Sequence, residues 1–397
     1  SQELATYAGL RGCQVLWGRC YEEQGVPPYW PWVQAIRSYV REQDPEKLNS
    51  VMGSGAADIA EVITDVRDKL PGLPKPQQIE DPESARFKLF DAITAFLKSA
   101  SLARPLVLIL DDLHWSDKPS LMLLQFLVRE LSGARILLIG TYRDMELNRQ
   151  HPLADSLALL TRERLFERVL LRGLSRDDVG RFIEVTSGVN PPSSLVDTVY
   201  AQTEGSPLFV TEVVRLLVQE GQLAPDRTSS RDTWTLRIPE GVREVIGRRL
   251  NRLSARCNEA LAIASVIGRE FNISHLSPLV DDLSSDRLLD VLEEGLEARV
   301  IEELPTGIGL YQFTHALIHE TLLDELSLTR RVRLHTRVAE SLEKFYGANA
   351  DDHAAELAYH FVQAEAVLGG EKVVHYSQVA GDRALQNYAY EEALEQF

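Results

Sequence analysis

Residues Leu106 to Leu110 read LVLIL, five aliphatic positions without a polar interruption, and the run ends on the doublet Asp111–Asp112. Apolar runs that do not alternate suit strands buried on both faces, as in parallel sheets. Cys13 to Gly18 (CQVLWG), Arg135 to Thr141 (RILLIGT) and Arg168 to Leu171 (RVLL) predict three more strands by the same criterion. Between these runs the period changes to that of a helix. From Ala85 to Ser99 a single stripe collects Phe87, Phe90, Ile93 and Leu97. After Asp111, the pair Ser116 and Asp117 can cap a helix, Pro119 suits its first turn, and Leu121, Leu124, Leu127 and Leu131 line it. Residues 2–9 read as helix with no capping signal, and 33–41 as helix after the turn GVPPYWPW, taken as a packed surface turn. Residues 44–82 give short helical pieces broken by Gly53, Gly55, Pro71, Pro74 and Pro76. Strand–helix–strand alternation predicts an α/β domain over residues 1–172.

Beyond Gly173 the pattern becomes helical. Ser175 with Asp178 three residues on forms a capping box, and further helices are predicted near 193–203 and 207–220. The polar stretch 224–235 reads as a linker, closing a helical segment at 173–238. Helices near 240–254, 256–267 and 285–298 precede a hairpin, VIEELP–TGIG–LYQF, whose turn is glycine-rich. That order predicts a winged-helix-like segment over 239–327, with helices at 315–326 and 328–345. Residues 328–397 are expected to hold a helical linker and the start of tetratricopeptide-like repeats. The closing NYAYEEALEQF has the Tyr/Ala/Phe spacing of such a unit, and one unit cannot bury its own face. The fold class expected is α/β plus all-α, and the natural chain is expected to continue.

Composition narrows the function. Across 397 residues, 42 Lys and Arg face 59 Asp and Glu, a formal charge of −17, which argues against a nucleic-acid wrapper or a membrane-surface binder. Arginine-rich stretches at 243–256 and 330–337 are interrupted by glutamates or set in this acidic background, so a solvated face is favoured there. Cys13, Cys20 and Cys257 are too few and too scattered for a disulfide framework or a four-ligand zinc site. No apolar stretch approaches the roughly 20 residues a bilayer requires, and the chain opens without a leader, so a cytoplasmic location is expected. Frames such as HExxH, GxSxG, CxxC and GxGxxG do not occur.

The chemistry concentrates at LVLILDDLHWSD. An apolar strand delivering two carboxylates at its carboxyl end matches the magnesium side of a P-loop nucleotide site. Mg²⁺ takes hard oxygen ligands, commonly one or two carboxylates with phosphates and waters, so Asp111 is the candidate metal ligand. Asp112 would orient or deprotonate the attacking water. GTYRD, residues 140–144, ends the next strand at the same edge and offers Thr141 and Arg143. A guanidinium binds phosphate bidentately and keeps its charge. His114 and Trp115 are read as packing residues.

The LDDLHWSD text resembles the Walker B region of the STAND class of AAA-related signalling ATPases. SQELATYAGLRGCQVLWGRCYEEQGVPPYWPW resembles the segment that follows the P-loop in its bacterial branch. The resemblance implies a P-loop NTPase core using ATP or ADP with Mg²⁺. It implies that Arg143 senses the γ-phosphate and that Gly205 and Pro207 of EGSPLFVTEVV lie against adenine. It further implies that His315 of FTHALIHE reaches the β-phosphate of ADP from the winged helix, although Thr314 and Ala316 depart from the family's flanking residues. His319 is read as structural. No GxxxxGK[ST] exists in the 397 residues, and Lys69, Lys75 and Lys118 lack its glycine frame. The chain is therefore expected to be a fragment cut just after that loop and inactive alone. The parent would be a multidomain regulatory switch, opened by nucleotide exchange and sensing an inducer or protein partner through its repeats. Nucleotide-dependent self-association is possible in such a protein, and outputs in this branch include LuxR-type DNA-binding, cyclase and kinase domains. A non-catalytic interaction scaffold and a DNA-binding winged-helix regulator stay open as alternatives.

Overall fold

The computed structural model describes the chain apart from residues 1, 22–24, 77–80, 145–146, 148–150, 220–222, 224–241, 281–283 and 305–306. The expected linker at 224–235, the start of the helix placed near 240 and part of the hairpin turn lie outside the described residues. The chain divides into two compact units, residues 1–168 with 346–397, and residues 169–345.

The first unit is built on three parallel strands in the order β1 (Gln14–Arg19), β2 (Leu106–Asp111) and β3 (Ile136–Gly140). Register sets Arg19 opposite Asp111 and Leu110 opposite Gly140. Each residue from Leu106 to Leu110 is buried, as the unbroken apolar run requires of a central strand. Alternation along β2 divides them between two faces. Leu106, Leu108 and Leu110 join the main core, while Val107 and Ile109 meet Ala8 of the helix Gln2–Leu10. The main face is covered by the helices Trp30–Glu42, Pro82–Ala103 and Lys118–Glu130.

The start of the first of these helices is core. Trp32 and Tyr29 are fully buried, and the Trp32 indole donates to the Ser120 carbonyl at 3.1 Å. The expectation of a surface turn is corrected: Tyr29 and Trp32 are core, Trp30 is half-buried, and the Pro31 backbone fills the space that Gly18 leaves open. A Cβ at Gly18 would lie 1.9 Å from the Pro31 carbonyl oxygen. The stripe on Pro82–Ala103 also needs correction. Phe90, Ile93 and Leu97 are buried, whereas Phe87 is 59% exposed and meets Phe126 edge-on.

The fourth expected strand does not form. Val169, Leu170 and Leu171 are 72%, 64% and 87% exposed, and among the described residues β3 ends the sheet. An apolar tetrapeptide without a neighbour for its backbone groups has no ladder to join. At the other end of the chain, Ala384, Ala389 and Ala393 join the main core, from the helices Glu371–Gln386 and Tyr390–Gln396 and the turn between them. Arg86 pairs with Glu391 at 3.5 Å, and the Tyr390 hydroxyl donates to the Pro82 carbonyl at 3.3 Å.

The second unit opens on the predicted capping box. Ser175 Oγ accepts from the Asp178 backbone, and the Asp178 carboxylate accepts in return, starting the helix Arg176–Ser187. Val179, Ile183, Leu195, Val199, Val210, Val213 and Val214 bind this helix to Ser193–Thr203 and Pro207–Gln219. Further on, β4 (Glu270–Asn272), β6 (Leu310–Phe313) and β5 (Ile301–Glu303) form an antiparallel sheet in that order. Phe271 stacks on Tyr311 and packs on Phe313 within it. The helices Ala255–Ile267, Ser285–Glu297 and Ala316–Asp324 accompany this sheet. No helix among the described residues is long and apolar enough to cross a membrane.

Candidate functional site

Parallel register brings the carboxyl ends of all three strands to one edge, and the polar residues stand there. Asp111, the last residue of β2, is held from both neighbours. The Thr141 hydroxyl, just beyond β3, donates to its Oδ1, and the Arg19 guanidinium, at the end of β1, lies 3.6 Å from its Oδ2. Thr141 also accepts from the Asp112 backbone N–H at 3.0 Å. Asp112 sits in the left-handed region at φ 60° and ψ 42°. Aspartate is one of the few non-glycine residues that visit this region.

The following turn, Leu113–Trp115, is bound to the β3 loop. Leu113 N–H donates to the Thr141 carbonyl at 2.8 Å, and the Arg143 N–H reaches His114 Nδ1 at 3.4 Å. The Arg143 guanidinium lies over the Trp115 ring, 5.1 Å from its centroid. His114 is buried, as a packing residue should be, and His151 Nε2 lies 2.9 Å from its carbonyl.

Asp111, Asp112, Thr141 and Arg143 are thus gathered at one edge. Gly205, Pro207 and His315 belong to the second unit. Pro207 is the first residue of the helix Pro207–Gln219. Gly205 has φ +74°, and a Cβ on it would stand 2.2 Å from the Leu174 carbonyl oxygen, whose residue returns an N–H to Gly205 O at 2.7 Å. Close approach at Gly205 is therefore already required within the unit. His315 caps the helix Ala316–Asp324, with Nδ1 accepting from the Leu317 N–H at 3.2 Å. His319 is buried, bonds the Ser265 carbonyl at 2.8 Å and is pushed down to about 4 by that burial.

One participant escapes the motif, and one within it does more than its local pattern tells. Arg19 has no local signature, but parallel pairing of WGRC with LILDD would have set it beside Asp111. Asp117 is more than a helix cap. It accepts from Ser120 N–H and Oγ–H, both at 2.7 Å, and from Tyr29 N–H at 3.4 Å. Burial raises its pKa against those bonds. Burial likewise pushes the Cys20 thiol up to about 12, so Cys20 is no nucleophile.

The donor set suits Mg²⁺ in part. Oxygen atoms of Asp111, Asp112 and Thr141 are hard ligands, and magnesium commonly takes only one or two carboxylates, with phosphates and waters completing its shell. Among the described residues no three His, Cys, Asp or Glu side chains converge to hold a metal without such help.

A parallel sheet with paired acids at the carboxyl end of its central strand is P-loop-NTPase-like. Residues 2–139 match the family described as AAA ATPase domain, and the kinship with AAA-related ATPases read from the LDDLHWSD text holds over that span. An uncharacterized protein of Rhizobium meliloti (strain 1021) is 24% identical over 322 residues, which cover 80% of this chain and 30% of that protein. The chain thus spans less than a third of that relative. Among solved structures, a STAND protein with a tetratricopeptide repeat sensor from Pyrococcus horikoshii aligns at TM-score 0.44 and 12% identity, covering 100% of this chain and 63% of that one. A Walker-type ATPase of Pyrococcus abyssi aligns at TM-score 0.35 and 15% identity, covering 80% and 86%.

Proposed function

We propose that this chain is the regulatory core of a STAND-type signalling ATPase, in which ATP and ADP favour different arrangements of an α/β domain, a helical segment, a winged-helix segment and a repeat segment. Segment boundaries near residues 172, 238 and 327 follow the sequence pattern. The reading is carried by the fixed acidic edge: Asp111 is oriented by the Thr141 hydroxyl, and Asp112 is held in a left-handed turn by the same oxygen. In this reading Asp111 holds Mg²⁺, Asp112 positions the attacking water and Arg143 meets the γ-phosphate. Mg²⁺ supplies charge neutralisation on the phosphates when bound. Pro207 packs on adenine and His315 senses the β-phosphate of ADP, biasing a bistable domain arrangement. The phosphate cradle must come from a GxxxxGK[ST] loop, which these 397 residues do not contain.

The test uses the complete natural protein. Asp112→Asn is expected to lower ATP turnover by at least about a hundredfold, the scale of a lost general base, while nucleotide stays bound. Turnover at the unmutated rate would remove Asp112 from its role. Absence of any co-purified or added nucleotide on the unmutated protein would favour the interaction-scaffold alternative.

A further inference from the structure

The second unit contains a cavity of about 280 Å³ beside the helices Arg176–Ser187, Pro207–Gln219 and Val242–Leu250 and the end of Ser285–Glu297. Its floor is an ion pair with both partners under a tenth exposed. Arg249 Nη1 donates to the two Glu212 oxygens at 2.9 and 2.8 Å. The other Arg249 donors serve carbonyls: Nε meets Ala298 O at 2.8 Å, and Nη2 bonds the Ala298 and Arg299 oxygens. Arg249 is therefore explained by the fold, since it satisfies the end of a helix and a buried carboxylate.

Arg215 and Arg299 are not explained that way. Arg215 reaches the already engaged Glu212 at 3.3 Å, and its guanidinium is pushed down by burial and by the Arg249 and Arg299 charges, against the pull of Glu212. Arg299 lines the same cavity, and among the described residues its side chain makes no ion pair or hydrogen bond. Its backbone is left-handed at φ 54°, a strained conformation for arginine. Glu297 on the rim is exposed and pairs with neither. Arg249 and Arg215 share the one buried carboxylate of Glu212, and the exposed Arg299 adds a third guanidinium at the cavity mouth, so the lining carries more positive than negative charge, an arrangement that favours a dianion.

We propose that this cavity is an anion site for inorganic phosphate or a small phosphomonoester, gripped by Arg215 and Arg299 above the Glu212–Arg249 pair, with the Thr186 hydroxyl at its wall. Whole-ligand pockets usually run from about 300 to 1,000 Å³, so the space suits a phosphoryl group with a short organic tail better than a nucleotide. The site goes beyond the nucleotide reading and does not depend on it.

The experiment titrates the 397-residue chain with inorganic phosphate and, separately, with glycerol phosphate, at constant ionic strength set with chloride and without nucleotide or magnesium. Calorimetry is expected to show one saturable site for at least one of them, and the tighter ligand identifies the natural source. Arg299→Gly suits the left-handed backbone and should weaken binding about tenfold or more, as should Arg215→Met. Arg256→Gln, an exposed change on another helix, should leave it unaltered. Binding no tighter than chloride for both ligands overturns the proposal. So does unchanged affinity in a folded Arg299→Gly chain, which remains decisive should Arg215→Met fail to fold.

Discussion

The acidic edge of the first unit and the cavity wall of the second handle charge in opposite ways. In the first, the sheet interior is aliphatic from Leu106 to Leu110, and the carboxylates wait at the strand ends, where water and ligands can reach them. In the second, Glu212 and Arg249 are enclosed among helices, each under a tenth exposed. The Arg19 and Asp111 side chains at the strand ends keep part of their hydration, 13% and 18% exposed. A charge inside a helical bundle depends on its partner, because its hydration is gone. The first arrangement leaves reactive groups available for chemistry, and the second fixes the geometry of a cavity wall.

The sharpest way to break this contrast is to remove one acid from each unit. Glu212→Ala leaves Arg249 enclosed without its carboxylate and should destabilise the second unit by about 3–5 kcal/mol. Asp111→Asn keeps a partner for the Thr141 hydroxyl and gives up a partly exposed ion pair with Arg19, so it should cost the first unit about 1 kcal/mol or less. Urea denaturation followed by probes in each unit measures both. Equal costs would erase the distinction between a wall charge and an edge charge.

Titration should separate the units by slope. In the first unit Glu392, on the helix Tyr390–Gln396, is pushed up to about 8, chiefly by burial and then by the Asp117 charge. Its raised value means the native state retains a proton that the unfolded chain gives up. That contribution is complete below the ordinary value of 4.5 and is lost as pH rises through about 8. In the second unit His319 and His335 are both pushed down to about 4, mainly by burial. There the unfolded chain takes up the protons first, so stability present above 6.5 is lost as pH falls through about 4. Each linked proton tilts stability by about 1.4 kcal/mol per pH unit inside its window. Amide exchange protection, corrected for intrinsic rates, should fall with rising pH at residues 390–396 and with falling pH around 319 and 335. Glu392→Gln should flatten the first trend, and an unchanged slope in that variant would assign it to another group.

The same contrast governs what the sequence discloses. The acidic edge is legible because a strand announces itself as an unbroken aliphatic run, and whatever follows Leu110 must stand at its end. Thr141 and Arg143 follow by the same logic from RILLIG. Arg19 is not legible alone, since its meeting with Asp111 depends on pairing across 92 positions of chain. RVLL misleads for the converse reason: apolarity qualifies a tetrapeptide for a strand, but a neighbouring backbone has to complete it. Glu212 and Arg249, 37 positions apart, look like ordinary polar positions on two amphipathic helices. Only tertiary packing makes them a pair, and only the left-handed Arg299 beside them marks the cavity.

The smallest effect compares two caps with the same local grammar. Ser175 and Asp117 each accept from the residue three ahead, but the Ser175–Asp178 box is exposed while Asp117 is half-buried over the buried Ser120 and Tyr29 and also receives the Tyr29 N–H. Ser175→Ala removes two exposed bonds, from the Asp178 N–H and to the Asp178 carboxylate, and should lower the stability of the second unit by about 1 kcal/mol, the usual worth of such a cap. Asp117→Ala should cost the first unit more, because the Ser120 and Tyr29 donors it leaves are in a drier place. Ser175→Asn provides the internal control, since asparagine caps as well as serine without setting a second carboxylate against Asp178, and should restore most of the loss. Thermal melts of the three variants decide it. A cost for Ser175→Ala matching that of Asp117→Ala would mean that burial of the donors adds nothing to a cap, and the division between exposed and buried polar groups would then fail at its simplest case.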